Sequence, residues 1–436
     1  MKIHPWFKFR GYAHFDLPIS LANAEKIVTC PEKITQHSFY PFLRYTVTTQ
    51  KVEKDSTGLA RPKKPKSRPI SFASHLDSHI YSYYAAHLSQ LYEKILIKEA
   101  IHESVLAFRP LGKSNIDFAN MAFETIKEIG ECVAFATDII GFFDNLHHTT
   151  LKKAWAYVLD KNVLPPDHYA VFKSLTNYSY VIKEDAFEKL GLSISNPPSA
   201  RNRICTSKEF RDLIRENGLI YQNKENRGIP QGSPISSLLS NLYLLEFDKK
   251  LQTEITSRNG YYFRYCDDIL CIVPNSHSGG IFEIVENLIK KYGLDINEMK
   301  TETSIFSKQQ GQLISNRPLQ YLGFTFDGKR KLIRSAAFAK FSEKMRKGVS
   351  LAKLTARKHN KLRFTHHKPI EGVWRNLIYE RYSHLGKRNF IRYGLRAAKI
   401  MNAPEINQQL KPLWSRLARR IEDADSELIV DHTLIL

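Results

Sequence analysis

The sequence predicts an α+β protein that ends in a basic, helical segment, and three observations predict it. Stretches with apolar residues at helical spacing alternate with short apolar runs of strand length. Two pairs of those runs flank turn signals. Lysine plus arginine number 65 against 44 aspartates and glutamates, a net charge of +21. With 436 residues, 42% hydrophobic and 11% aromatic, the chain has room for two or three subdomains with sizeable cores. So basic a chain faces a polyanion, nucleic acid before anionic membrane. No apolar run approaches the roughly 18–20 residues of a membrane span. The first ten residues (MKIHPWFKFR) carry no hydrophobic signal region. Five scattered cysteines form neither a disulfide framework nor a zinc spacing. A reducing, cytoplasmic setting is expected, and no repeat of solenoid length is present.

In chain order, residues up to about 50 are mixed and aromatic-rich. Residues 51–68 (KVEKDSTGLARPKKPKSR) are polar and basic, broken by Pro62 and Pro65, and read as an exposed loop or hairpin. Leu76, Ile80, Tyr84, Leu88, Leu91 and Ile95 predict one or two helices over 74–100. The same spacing predicts a helix over 115–129. Residues 132–139 (CVAFATDI) read as a buried strand containing Asp138, followed by a helix over 150–159. Residues 176–227 are irregular, with a loop at Pro197-Pro198. The turn-rich GIPQGS at 228–233 opens into a helix over 234–251. Runs at 261–263 and 269–273 flank residues 264–268 and predict a β-hairpin with Asp267 and Asp268 at its tip. A helix over 281–292 follows. Then comes a second hairpin, 321–326 with 331–334, across Asp327-Gly328. Residues 329–420 hold about 25 lysines and arginines against 4 acidic residues, with interleaved aromatics such as Phe341, Trp374 and Phe390. That composition fits a helical surface that tracks a phosphate backbone.

Adjacent carboxylates in an apolar strand context repel each other and are costly to bury unpaired. A divalent cation removes that cost. Two Mg²⁺ ions (Mn²⁺ as a substitute) held by Asp138, Asp267 and Asp268 would suit phosphoryl chemistry. Taken alone, an Asp-Asp pair reads as a turn; here it does not stand alone.

Residues 135–147 (FATDIIGFFDNLH), 228–236 (GIPQGSPIS) and 265–268 (YCDD) resemble motifs A, B and C of reverse transcriptases, in the same order. Arg68-Pro69-Ile70 through Asp77, and Phe108-Arg109-Pro110 with Gly112-Lys113-Ser114, resemble finger motifs of the bacterial enzymes. Lys300-Thr301 resembles the motif D lysine, and Tyr321-Leu322-Gly323-Phe324 the primer-grip hairpin. The resemblance covers roughly residues 60–335. It implies a right-hand polymerase fold: fingers, an antiparallel-sheet palm and a basic helical thumb. The expected division is an N-terminal extension packing on the fingers (1–60), fingers (61–130), palm (131–328, with a fingers insertion at about 155–227), and thumb with C-terminal tail (329–436). By resemblance Asp138, Asp267 and Asp268 hold the metals, and Phe143 is the steric gate against a ribose 2′-hydroxyl. Gln231 lines the nucleotide site, Arg68, with Lys63 or Lys66 beside it, meets the triphosphate, and Lys300 protonates pyrophosphate. Core packing beside Phe142 is the competing reading for Phe143, a solvated surface that for Lys300.

Looser similarity concerns Gly11-Tyr12-Ala13-His14-Phe15-Asp16, Ser74-His75-Leu76-Asp77-Ser78 and residues 205–211 (CTSKEFR). These resemble segments of bacterial defence-associated reverse transcriptases. That similarity implies a noncoding RNA as template and scaffold, dNTPs as substrates, a cDNA product and an antiphage role. Residue 266 is Cys where the family commonly has Ala. Template-independent or protein-primed polymerases of the same fold, retron or group II intron enzymes, and a non-catalytic RNA-binding protein are the rival readings. The oligomeric state is not legible.

Overall fold

The computed structural model describes residues 4–54 and 59–433, with side chains given outside 50–54, 60–64 and 431–433. Two short helices, α1 (Leu21–Val28) and α2 (Pro31–Thr35), precede a long hairpin of β1 (Phe42–Lys54) and β2 (Ala60–Phe72). The basic segment at 51–68 is therefore largely strand. Its register runs from Leu43↔Phe72 to Lys54↔Ala60, with an irregularity between Thr49 and Lys51. β1 also pairs in parallel with the short β4 (Ser179–Ile182), which pairs with β5 (Tyr221–Gln222). The sheet order is β2-β1-β4-β5, so strands on both sides of residue 60 share one hairpin, and the irregular 176–227 stretch completes its sheet.

One continuous helix, α3 (His75–Lys98), follows β2. Its N-terminus is capped twice. Ser74 Oγ accepts from the Asp77 amide, and the carboxylate of Asp16, 59 residues upstream, accepts from the amides of His75 and Leu76 at 2.9 and 3.0 Å. A negative group there satisfies otherwise unpaired N–H groups and meets the positive end of the helix dipole. The two segments singled out in the sequence, 11–16 and 74–78, are thus one packed unit. In it Tyr12 stacks on His75, and its hydroxyl donates to the Ala73 carbonyl.

The central sheet is five-stranded and antiparallel. It comprises β3 (Cys132–Asp138), β6 (Tyr261–Tyr265), β7 (Asp268–Pro274), β8 (Glu302–Gln309) and β9 (Gln312–Ser315), in the order β6-β7-β3-β8-β9. β7 is buried along nearly its whole length, because both faces are covered. One face meets α4 (Asn115–Ile129); the other lies against the core shared by α3, α5 (His148–Val158), α6 (Pro166–Thr176), α9 (Ser236–Tyr243), α10 (Leu245–Ser257) and α11 (Ile281–Lys290). Trp155 is fully buried there, and its indole N–H donates to His168 at 3.1 Å; truncation to Ala would cost roughly 3–5 kcal/mol. Two expectations need correction. The helix predicted over 234–251 is two helices that meet at Leu244. The strand predicted over 321–326 is broken. Leu322 (φ 47°) and Gly323 (φ 92°) form a tight turn between β10 (Leu319–Tyr321) and β11 (Phe324–Phe326), and β12 (Lys331–Ile333) completes a three-stranded meander. Two consecutive left-handed residues are what a two-residue hairpin turn demands.

The smaller helices are α7 (Lys183–Lys189) and α8 (Ser207–Glu209, continuing as a π-helical turn over Phe210–Arg215). After β12 the chain is helical: α12 (Ser335–Thr365), α13 (Arg375–Tyr382), α14 (Phe390–Ile400), α15 (Pro404–Leu410) and α16 (Pro412–Thr433). The 31-residue α12 packs against α16 and α13. No helix among the described residues is long and apolar enough to cross a membrane.

Candidate active site

β3 and β7 are neighbours in register, and their last pair is Asp138 opposite Asp268. The Asp267 carbonyl accepts from the Ile139 amide at 3.0 Å, so all three predicted aspartates sit at one end of the central sheet. Asp267 lies in the turn, and Asp268 is already the first residue of β7. Cys266 occupies the left-handed region at φ 61°, a conformation that costs a non-glycine residue about 1–2 kcal/mol. The Asp138 carbonyl accepts from the Asn297 amide at 2.8 Å, which brings the 295–300 loop alongside.

Burial, followed by the charge of Asp267, pushes the Asp268 carboxyl up to about 7, with Arg334 opposing. A cation between these carboxylates would relieve that strain. The third carboxylate already has a cation: the Lys300 ammonium donates to Asp138 Oδ2. Among the described residues no three His, Cys, Asp or Glu side chains are gathered tightly enough to form a metal cage. The chemistry of the donor set nonetheless fits a hard divalent ion, which takes one or two protein carboxylates and completes its shell with water and substrate phosphates.

Three other segments converge beside the aspartates. The Ile229 amide donates to the Phe143 carbonyl (3.0 Å) and the Gly228 amide to that of Leu146 (2.9 Å); the Ser71 amide donates to the Gln231 carbonyl (2.8 Å). The loop 228–233 is thereby clamped between the segment after β3 and the end of β2. Gly232 has to be glycine: its φ is +115°, and a Cβ would stand 2.6 Å from the Ser71 carbonyl. Gln231 and Phe143 are half-buried. Phe142 takes the core position at 3% exposure, and the Phe143 ring, 5.7 Å away, is only partly buried and packs against the same core. Arg68 is exposed on β2, opposite Val47. Lys66 is likewise exposed; the side chain of Lys63 lies outside the described residues.

The sequence reading missed two arginines here. Arg44 on β1 stacks on Tyr180 at 3.3 Å and donates to Ser71 Oγ and the Tyr178 hydroxyl. Arg264, fully buried in β6, donates to both oxygens of Asp248 at 2.7 and 2.6 Å. The available signal was an arginine inside an otherwise apolar and aromatic strand, which requires a buried acid elsewhere.

Residues 60–326 match the family model for reverse transcriptase (RNA-dependent DNA polymerase). The chain belongs to this family. As a member it has the reverse transcriptase fold, and reverse transcriptase domains generally use divalent metal ions. Among characterised proteins it is similar to the telomerase reverse transcriptase of Rattus norvegicus, 33% identical over 109 residues, which is 25% of this chain and 9% of that protein. The Mus musculus telomerase reverse transcriptase is 34% identical over 95 residues, 22% of this chain and 8% of that one. The alignments thus span less than a tenth of these relatives' length. Among solved structures, truncated apo telomerase from Candida tropicalis aligns with a TM-score of 0.40 at 12% identity, covering 65% of this chain and 55% of the other. Candida albicans telomerase in complex with a fragment of telomeric RNA aligns at 0.38 and 13% identity, covering 91% and 64%.

Proposed function

We propose that the protein is an RNA-directed DNA polymerase that copies a cognate noncoding RNA into cDNA, as part of a bacterial antiphage defence system in the cytoplasm. The observation that carries the catalytic part is the convergence of Asp138, Asp267 and Asp268 at one sheet end, beside the clamped 228–233 loop. The defence reading is supported by the resemblance of residues 11–16 and 74–78 to defence-associated enzymes, two segments that pack on each other here.

In this proposal the three aspartates hold two Mg²⁺ ions, or Mn²⁺ in their place. Divalent ions so held would lower the pKa of a primer 3′-hydroxyl and steady the departing pyrophosphate. Arg68 meets the triphosphate of the incoming dNTP. Gln231 lines its sugar, and the Phe143 ring fills the space of a 2′-hydroxyl. Lys300, already at Asp138, delivers a proton to the leaving group. The reading keeps the division proposed from the sequence: extension 1–60, fingers 61–130, palm 131–328 with its insertion at about 155–227, and thumb 329–436. Strand β1 of the extension completes the fingers hairpin. A thumb cleft of about 750 Å³ is lined by Lys340, Lys344, Arg381, Lys387 and Arg388 over Phe341 and Phe390, a surface suited to phosphates and bases.

The deciding experiment sequences the RNA and DNA that copurify with the wild type and with the Asp267→Ala, Asp268→Ala double variant. One enriched RNA in both samples, with complementary DNA only in the wild type, is expected. DNA unrelated to the bound RNA would replace this reading with template-independent synthesis. Complementary DNA persisting in the double variant would overturn the assignment of the aspartates.

A further inference from the structure

Beneath the turn that carries Asp267 lies a buried polar network that the chemistry above does not use. Arg264 is held on every side. Its backbone N–H donates to the Ser104 carbonyl (2.7 Å), and its carbonyl accepts from the Leu106 amide (2.9 Å). Its guanidinium forks onto Asp248 of α10, to which the Tyr262 hydroxyl also donates at 2.7 Å. The remaining Nη1 donates twice, to Asn241 Oδ1 at 3.0 Å and to the Cys266 carbonyl at 3.1 Å. Asn241, on the helix that follows the 228–233 loop, passes the connection on by donating to the Ala107 carbonyl at 2.9 Å. Arg264, Asn241 and Asp248 are all fully buried.

The geometry points to Arg264 as a positioning residue for the catalytic turn, acting through the Cys266 carbonyl; this rests on the catalytic reading given above. A peptide unit is planar. Holding the Cys266 carbonyl therefore restrains the plane of the Cys266–Asp267 peptide, and the Ile139 amide holds the Asp267 carbonyl on the other side, so the backbone that aims the Asp267 side chain is tied at both ends. The turn needs such a tie because Cys266 sits in a left-handed conformation that residues other than glycine and asparagine rarely hold unaided. A guanidinium suits this role, since it engages a carboxylate with one edge and still presents a donor to two further oxygens. A lysine would match the charge and lose the geometry. Through Nη1 the same guanidinium couples the turn to Asn241 on the helix after the 228–233 loop, so the proposed metal-bearing and nucleotide-lining segments share one support.

The alternative is that the network only stabilises the fold. Replacing both members of a buried ion pair by apolar residues commonly preserves folding, whereas removing one strands a charge. The test therefore compares Asp248→Leu/Arg264→Met, Arg264→Lys and Tyr262→Phe with the wild type. Melting temperature, single-nucleotide addition on an RNA template, and Mn²⁺ binding by calorimetry without nucleotide are measured for each. In the first two variants kcat is expected to fall at least tenfold with KM for the template–primer unchanged, and Mn²⁺ affinity to weaken in parallel. Tyr262→Phe, which spares the bond to Cys266, shifts the melting temperature alone. The proposal is overturned if the double variant or Arg264→Lys, melting with the wild type, keeps wild-type kcat and Mn²⁺ affinity. It is also overturned if kcat across all three variants simply follows melting temperature. An inactive wild type whose Mn²⁺ affinity still depends on Arg264 would sink the polymerase reading and leave the positioning role standing.

Discussion

Phe142 and Phe143 are adjacent rings in different surroundings. The paired rings divide the work: Phe142 is buried in the core, and Phe143 stands half-exposed beside the 228–233 loop. In the proposed function a ring at that place excludes a 2′-hydroxyl by volume. Phe143→Ala is expected to improve ribonucleotide use relative to deoxynucleotide use by roughly 10- to 200-fold, the range one steric element of a pocket can supply. Competition between rNTP and dNTP on an RNA template checks it; an active variant with unchanged preference assigns the gate elsewhere. That the three aspartates come together at one sheet end was legible from the order of the three motif resemblances, since the Asp-Asp pair alone reads as a turn. The Lys300–Asp138 contact and the Arg264–Asp248 fork were not, since the choice of an ionic partner 162 or 16 residues away belongs to tertiary structure.

Among the elements, the N-terminal segment behaves as a strap across the start of α3. Its His14 is fully buried. The Phe15 amide donates to His14 Nδ1 at 2.8 Å, which leaves Nε2 to carry the proton and donate to the Phe72 carbonyl at 3.2 Å. A second proton would have to sit on Nδ1, facing another N–H. Burial, opposed by the bond to Phe72 and assisted by His75, lowers this imidazole to about 3; burial likewise lowers His79 to about 4. The sign follows from linkage. Between the folded values and the ordinary 6.5 the unfolded chain binds more protons, so stability is complete above pH 6.5 and declines as pH falls toward 3. The urea midpoint is expected to drop across that window, and His14→Gln to flatten the slope. Equal slopes in the two proteins would show that this imidazole titrates normally. Buried on several sides, α3 could be read only as one or two helices, whereas a clear apolar stripe made α4 legible. The four-residue β4 was not, because its parallel pairing with β1 is fixed by distant chain and leaves no alternation to read. In β8 only Ser304 and Phe306 point fully inward, too few to mark a strand.

Over the whole molecule, the charge of +21 is concentrated where the basic composition placed it, in the helices after β12. Electrostatic binding to a phosphate chain releases counterions, so its strength falls with salt in proportion to the contacts made. Replacing Lys340, Lys344 and Lys387 by Gln is expected to reduce the slope of log affinity against log salt by about 2 for single-stranded RNA. Filter binding over a salt series measures it, and an unchanged slope would place the RNA elsewhere. The fold class itself was legible at this scale, since the order of helical and strand segments survives from sequence to structure; the broken helix at Leu244 and the turn at Leu322-Gly323 refine it.

The strand order of the central sheet carries a temporal consequence. β3 lies in the middle of the sheet, yet it precedes both strands that flank it, β7 and β8, by well over a hundred residues. During synthesis its apolar run must emerge and wait for them. Contacts so distant along the chain form slowly, and an unpaired strand invites association with other chains meanwhile. The arrangement that finally brings Asp138 to Asp268 therefore postpones that end of the sheet until more than half of the chain has been made.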